Sequence, residues 1–154
     1  MAPAADLDHI DQQIIELLQK EGRVPYLAIA NELGVAEGTI RRRVARMLDE
    51  NILKIVGITD PQKVGMNTVA LVGLTVERRR IEDTIMRLKD LPEVRYVAVA
   101  TGMYDIIIEI VVPSNDALLE FLIKKLNEIP WIVGTDTSLV LKINKQSFAW
   151  GPDD

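Results

Sequence analysis

The chain has 154 residues, of which 48% are hydrophobic and 27% charged, the profile of a folded protein of one ordinary domain or two very small ones rather than a disordered one. It has no cysteine and a single histidine, His9, which excludes disulfides, thiolate nucleophiles, iron–sulfur clusters, His-based triads and His/Cys metal clusters, so neither a cofactor nor a metal is expected. Formal net charge is −5, so any nucleic-acid role must come from a local patch. No apolar run reaches the ~18–20 residues needed to cross a membrane, and the start MAPAADLDHIDQQ lacks a basic region followed by an apolar core. The expected location is cytoplasmic, with no membrane partner.

The first 60 residues read as helices followed by one strand. Ile10, Ile14, Leu17 and Leu18 recur at helical spacing, with Asp6, Asp8 and Asp11 near the N-terminus, where the helix dipole favours them. Gly22 ends that helix. Pro25 suits the first position of a second one, with Leu27, Ala30 and Leu33 as its stripe and Gly34 as a left-handed stop. A third helix runs from about Ala36 to Glu50 on the stripe Ile40, Val44, Met47 and Leu48, and Asn51 can close it. Leu53 to Thr59 reads as a strand, and Asp60-Pro61 punctuates the chain.

After a hinge at Pro61 to Asn67 the period changes. Val69–Val76 is β-rich, Ile81–Leu91 helical, Val94–Ala100 β-rich, Ile106–Val112 a strongly apolar strand, Leu118–Ile129 helical and Val133–Ile143 a last strand. A faint repeat at an offset of 38 residues aligns Ile85, Leu88, Leu91 and Pro92 with Ile123, Leu126, Ile129 and Pro130. Two βαβ units joined through Thr101-Gly102-Met103 give a ferredoxin-like βαββαβ sandwich. The fold class is therefore α+β. A helix-turn-helix, winged-helix-like unit (1–60) and a linker (61–67) precede the sandwich (68–154). Ile106, Ile107, Ile108, Ile110, Val111 and Val112 make both faces of one strand apolar, and Ala70, Leu71, Val72 and Leu74 do the same. Helices cover only one face of such a sheet, so a second copy is expected on the other, giving a two-fold homodimer. The alternative is that the N-terminal helices fold back over it.

Residues Gly38 to Met47, GTIRRRVARM, carry Arg41, Arg42, Arg43 and Arg46 with no acid among them, in a 60-residue unit that otherwise holds more acids than bases. With Ile40, Val44 and Met47 inward, Arg42 and Arg46 point away from the core, flanked by Arg41 and Arg43, with Glu37, Gly38 and Thr39 at the helix N-terminus. Such a helix after a tight turn fits the recognition helix of a helix-turn-helix on double-stranded DNA, since arginine pairs with guanine or grips phosphate. The plainer alternative is an ordinary solvated face.

The segment LDHIDQQIIELLQKEGRVPYLAIANELGVAEGTIRRRVARMLDENIL resembles the opening of the Lrp/AsnC (leucine-responsive, feast/famine) family of regulators, and TGMYDIIIEI, Thr101 to Ile110, resembles that family's "tG.yD" turn. The resemblance spans nearly the whole chain. It implies a prokaryotic transcription regulator, not an enzyme, whose dimers pair through their sheets and assemble into tetramers or octamers. It also implies a small effector, commonly an amino acid, bound in clefts between dimers. The effector residues it implies are Gly102, Met103, Tyr104 and Asp105, with Gly134, Thr135, Asp136 and Thr137 on the other side. Asp105 can accept from an ammonium, backbone N–H groups at the glycine turn can hold a carboxylate, and Thr101, Thr135 and Thr137 offer hydroxyls. Equally, Gly102 and Asp105 can simply make a tight turn. Three positions depart from the family. Ala36 stands where it has a capping serine, Asn51 replaces a glycine, and Gly38 is a poor helix former near the reading end.

Three other functions compete. An effector-independent architectural DNA binder has the same helices. A co-regulator whose helix-turn-helix no longer reads DNA is compatible with Ala36 and Gly38. A sirohaem-decarboxylase-like enzyme shares the architecture but relies on histidines in the second module, where residues 61–154 have none. His9 reads as a surface residue, Trp131 and Trp150 as packing or interface residues, Arg78-Arg79-Arg80 as a solvated, partly paired patch, and AWGPDD as a frayed tail.

Overall fold

The structure, a computed structural model, describes residues 6–147 in two compact units, one reaching to Ile58 and including 145–147, the other Thr59–Asn144. Trp150 and the AWGPDD end lie outside the described residues.

The first unit is three helices, α1 (His9–Lys20), α2 (Tyr26–Leu33) and α3 (Glu37–Asp49). Asp8 caps α1 through a capping box in which its carboxylate accepts from Asp11 N–H at 2.9 Å, satisfying an end donor the helix cannot satisfy itself. Pro25 stands one place earlier than expected, as the residue before α2. Gly34 closes α2 in the left-handed conformation at φ 68°, and Asn51 follows α3 at φ 56°. Ile14, Ile29, Ile40, Val44 and Met47 are fully buried together.

The strand expected over Leu53–Thr59 is not formed. Ile52 and Leu53 donate to Met47 O at the end of α3 and pack on the core, but beyond them the segment pairs with no strand. A strand exists only against a neighbour, and this unit supplies none. Ile55, Val56 and Ile58 remain exposed.

The second unit is β1 (Thr68–Val76), α4 (Ile81–Lys89), β2 (Val94–Val99), β3 (Ile106–Val112), α5 (Asn115–Glu120) and β4 (Ile132–Leu139). All strand pairs are antiparallel in the order β2-β3-β1-β4, the ferredoxin-like topology. Val72, Leu74, Ile106, Ile108 and Ile110 form the inner face and meet Leu88, Phe121 and Leu126 from the helices. The second helical segment starts earlier than its apolar stripe, because Ser114 caps it by accepting from Ala117 N–H at 3.2 Å. It then loosens into a π-turn at Phe121–Lys125 and a 3₁₀ turn at Leu126–Glu128. β4 ends at Leu139, opposite Ala70; Val140 N–H still donates to Val69 O at 2.9 Å, but the expected continuation to Ile143 is not strand.

The outer face carries Leu71 and Tyr96, 43% and 56% exposed, beside half-buried Ile107 and Glu109. Among the described residues no helix is long and apolar enough to cross a membrane.

Candidate nucleic-acid interface and effector site

The four arginines of α3 do not act alike. Arg43 and Arg46, three residues apart, share the side of α3 that faces α1. Arg43 Nη1 donates to Asp8 Oδ2 at 2.8 Å and to Asp11 Oδ1 at 2.9 Å, and Arg46 Nη2 donates to Asp11 Oδ2 at 2.5 Å. Asp11 is only 2% exposed, so its charge is compensated almost wholly by these two guanidiniums. The Asp11 backbone N–H and the Arg43 guanidinium hold the Asp8 carboxyl below its ordinary range, while Asp11 and Asp8 raise Arg43. Arg46 does stand off the core and lines one depression with Arg42, as expected, but its guanidinium is bound to a carboxylate on another helix.

Arg41 is two-thirds exposed, pairs with Glu37 at 2.6 Å and lies 5.6 Å from the Tyr26 ring centroid. Arg42 is exposed and has no ion pair or hydrogen bond among the described residues. At the N-terminus of α3, Ala36 makes no side-chain cap, and Thr39 N–H donates to Ala36 O at 2.9 Å. A Cβ on Gly38 would meet nothing within 4 Å, and nothing in the structure explains the glycine.

The second site is built at one end of β1. Gly102 adopts φ 114°, a conformation that side chains rarely take. Asp105 is tied to β1 twice: its N–H donates to Leu74 O at 2.9 Å, and its Oδ2 accepts from Val76 N–H at 2.9 Å beside the β-bulge at Thr75/Val76. This carboxylate fixes the turn. Tyr104 then lies flat on β1 at Gly73, where a Cβ would stand 2.5 Å from Tyr104 Cγ and 2.6 Å from Cε2. Its hydroxyl donates to Asp136 Oδ2 at 2.5 Å, and accepting that bond, Asp136 holds the Tyr104 phenol above its ordinary pKa.

The predicted effector residues are only partly brought together. Asp136 is opposite Gly73 and shares its face, with Tyr104 between them. Thr135 and Thr137 are opposite Leu74 and Val72, on the other face, because side chains alternate along a strand. Thr135 and Gly134 instead line a cleft with Leu126, Asn127, Pro130 and Val133. Thr101, Gly102 and Met103 are exposed at the tip, Met103 to 81%. The residue that position alone did not suggest is Gly73, a glycine in mid-strand, which marks the close approach of another group.

Among the remaining residues, His9 is exposed at the start of α1, and Trp131 packs against the sandwich core with Arg80 Cζ 5.3 Å from its ring centroid. Arg80 also pairs with Asp83 at 2.8 Å. No group of three or more His, Asp or Glu placed to hold a metal occurs among the described residues.

The family model described as the AsnC-type helix-turn-helix domain matches residues 7–48, and that described as the Lrp/AsnC ligand binding domain matches residues 69–150. An HTH-type transcriptional regulator of Pyrococcus furiosus is 38% identical over 144 residues, covering 93% of this chain and 97% of its own. The regulatory protein AsnC of Escherichia coli is 31% identical over 138 residues, covering 88% and 91%. The solved structure of Escherichia coli AsnC superposes with a TM-score of 0.85 at 29% identity, covering 93% of this chain and 97% of that one. A Neisseria meningitidis transcriptional regulator, solved as a complex with L-Met, shares the fold at TM-score 0.86 and 21% identity, covering 94% and 96%.

Two outcomes are expected from this geometry. Ala36→Ser supplies the missing cap and should stabilise the first unit by about 1 kcal/mol, read as a raised denaturation midpoint in urea. Gly73→Ala forces the Tyr104 ring off the sheet. It should lower the melting temperature and abolish the Tyr104–Asp136 hydrogen bond, seen as a tyrosine pKa returning toward its ordinary value in a spectrophotometric titration.

Proposed function

Because the chain belongs to the Lrp/AsnC family of transcriptional regulators, a family of DNA-binding non-enzymes with a ligand-binding domain, we propose that it reads DNA with α3 and senses an amino acid beside Tyr104 and Asp136. Arg42 carries the first half of this reading, as an exposed guanidinium with no partner among the described residues, on a helix that follows a tight turn. In this assignment Arg42 and Arg41 make the outward contacts, and Glu37, Gly38 and Thr39 stand at the helix end that favours phosphate.

The Tyr104–Asp136 pair carries the second half. Asp105 is spent on β1, so the acceptor for an effector's ammonium is Asp136, with Tyr104 beside it. The backbone at Thr101, Gly102 and Met103 offers donors for a carboxylate. Thr135 and Thr137 face the other side of the sheet and take no part within this copy. That the Neisseria regulator was solved with L-Met supports an amino acid as the ligand class.

The outer sheet face, with Leu71 and Tyr96, is the dimer surface of this proposal, and dimers assemble further to tetramers or octamers. Pro61 to Asn67 serves as the hinge. An effector alters DNA affinity only to the extent that it binds one assembly or conformation better than another.

The DNA half is tested by titrating duplex DNA at several salt concentrations. Arg42→Gln should weaken binding across all sequences and flatten the plot of log affinity against log salt by about one unit per subunit. An unchanged slope removes Arg42 from the interface. The sensing half is tested by thermal unfolding with single amino acids. A true effector at about 100 times its dissociation constant stabilises by about 2.7 kcal/mol. Asp136→Asn should abolish that shift, and absence of any shift across all amino acids refutes this ligand class.

A further inference from the structure

We propose that Asp11 is a selectivity-determining positioning residue. By holding Arg43 and Arg46 against α1, it keeps two of the four arginines of α3 off phosphate and so limits sequence-blind attachment to DNA. The inference rests on the reading that α3 enters DNA.

Three observations carry it. Asp11 is nearly fully buried and bridges both guanidiniums, one on each carboxylate oxygen. The same carboxylate is locked at the start of α1, because Asp8 N–H donates to Asp11 Oδ2 at 3.4 Å while Asp8 accepts from Asp11 N–H. Asp8 then takes a second contact from Arg43. Two carboxylates thus face two guanidiniums in a fixed frame of hydrogen bonds, and their charges cancel. An arginine leaving this frame would abandon a buried carboxylate, which is strongly unfavourable. Arg43 and Arg46 are therefore not a reserve that swings out when DNA approaches.

The consequence is a division of labour on one helix. Each phosphate neutralised by an arginine adds about 0.9 to the salt slope on duplex DNA, or about threefold in affinity between 50 and 200 mM salt. Phosphate contacts carry no sequence information. Withholding two arginines lowers affinity for every sequence alike and leaves the contacts that discriminate.

The experiment measures binding of the full chain to a short mixed-sequence duplex across a salt series. Asp11→Asn should bind this duplex more tightly than the native protein and steepen the slope by up to about two units per subunit. A folded Asp11→Asn protein whose slope is unchanged or shallower overturns the inference. Where circular dichroism shows that Asp11→Asn has not folded, Asp8→Asn decides. Asparagine caps a helix as well as aspartate does, but it removes one charge facing Arg43. Because Asp11 still holds Arg43 in this variant, the native slope should be kept, and a steepening of about one unit would assign the restraint to Asp8 and overturn the inference. The double variant Arg43→Gln/Arg46→Gln should keep the native slope. A loss of about two units there would mean that both arginines already sit on phosphate, which also overturns it. If the native protein shows no salt-dependent binding at all, or Arg42→Gln leaves its slope unchanged, the reading of α3 itself fails. If that reading holds and Asp11→Asn changes nothing, only the inference fails.

Discussion

A four-stranded sheet with all its helices on one side must account for its other side. In this chain the requirement shapes the end where the second site lies. β1 runs through the middle of the sheet, paired on both edges, and gives up a side chain at Gly73. The ring of Tyr104 occupies the space. That placement needs the turn before β3 to return over β1, which the paired contacts of Asp105 to Leu74 and Val76 enforce. The turn, the ring and the exposed carboxylate of Asp136 are thus one arrangement. Covering part of an apolar face and presenting a polar pair to solvent are achieved by the same residues. What the ring does not cover, Leu71 and Tyr96 among it, is the surface assigned to a second copy.

The first unit answers a different requirement. A buried carboxylate is tolerated only with close compensation, and Asp11 finds it in two residues of α3. Helical periodicity alone does not divide the basic run, since residue 46 lies about 40° round the helix from 42 and about 60° from 43. The carboxylates at the start of α1 divide it, by pairing with Arg43 and Arg46 and not with Arg42. Four arginines close together in sequence become two that fix the helix and two that are left outward. The helix is held along its side rather than at its N-terminus, where Ala36 provides no cap.

Much of this was legible in the chain. The stripe of α1, the buried Ile40, Val44 and Met47 of α3, the left-handed closures at Gly34 and Asn51 and the βαββαβ order follow from local pattern, because each depends on residues near in sequence, whereas in α2 the expected Leu27 is exposed and Ile29 is buried instead, and Leu48 of α3 is exposed. The departures share a cause. Leu53–Thr59 has strand composition, but a strand is a property of two segments, and composition does not reveal whether the second exists. β4 likewise stops at Leu139 although strand-like composition runs on to Ile143, because composition does not reveal where pairing ends. Arg46 is polar and off the apolar stripe, which marks it as outward, but only the fold shows that Asp11, 35 residues away, binds it. Asp105 looks like a ligand carboxylate because its bond to Val76 N–H crosses 29 residues of chain. The separation of Asp136 from Thr135 and Thr137 was available from alternation along a strand, and it is hidden only when Gly134 to Thr137 is treated as one block.

The local nature of the arginine surface has a kinetic consequence. The chain carries a net charge of −5, and its approach to DNA is that of two like-charged bodies. At physiological ionic strength charges are screened beyond roughly 8 Å, so on the proposed reading Arg41 and Arg42 act only once α3 is already close to the groove. Long-range steering, which speeds the encounter of basic proteins with nucleic acid, is not available to this chain. Its search for a site is governed by collisions that end quickly unless the helix arrives in register, and occupancy then depends on how slowly it leaves.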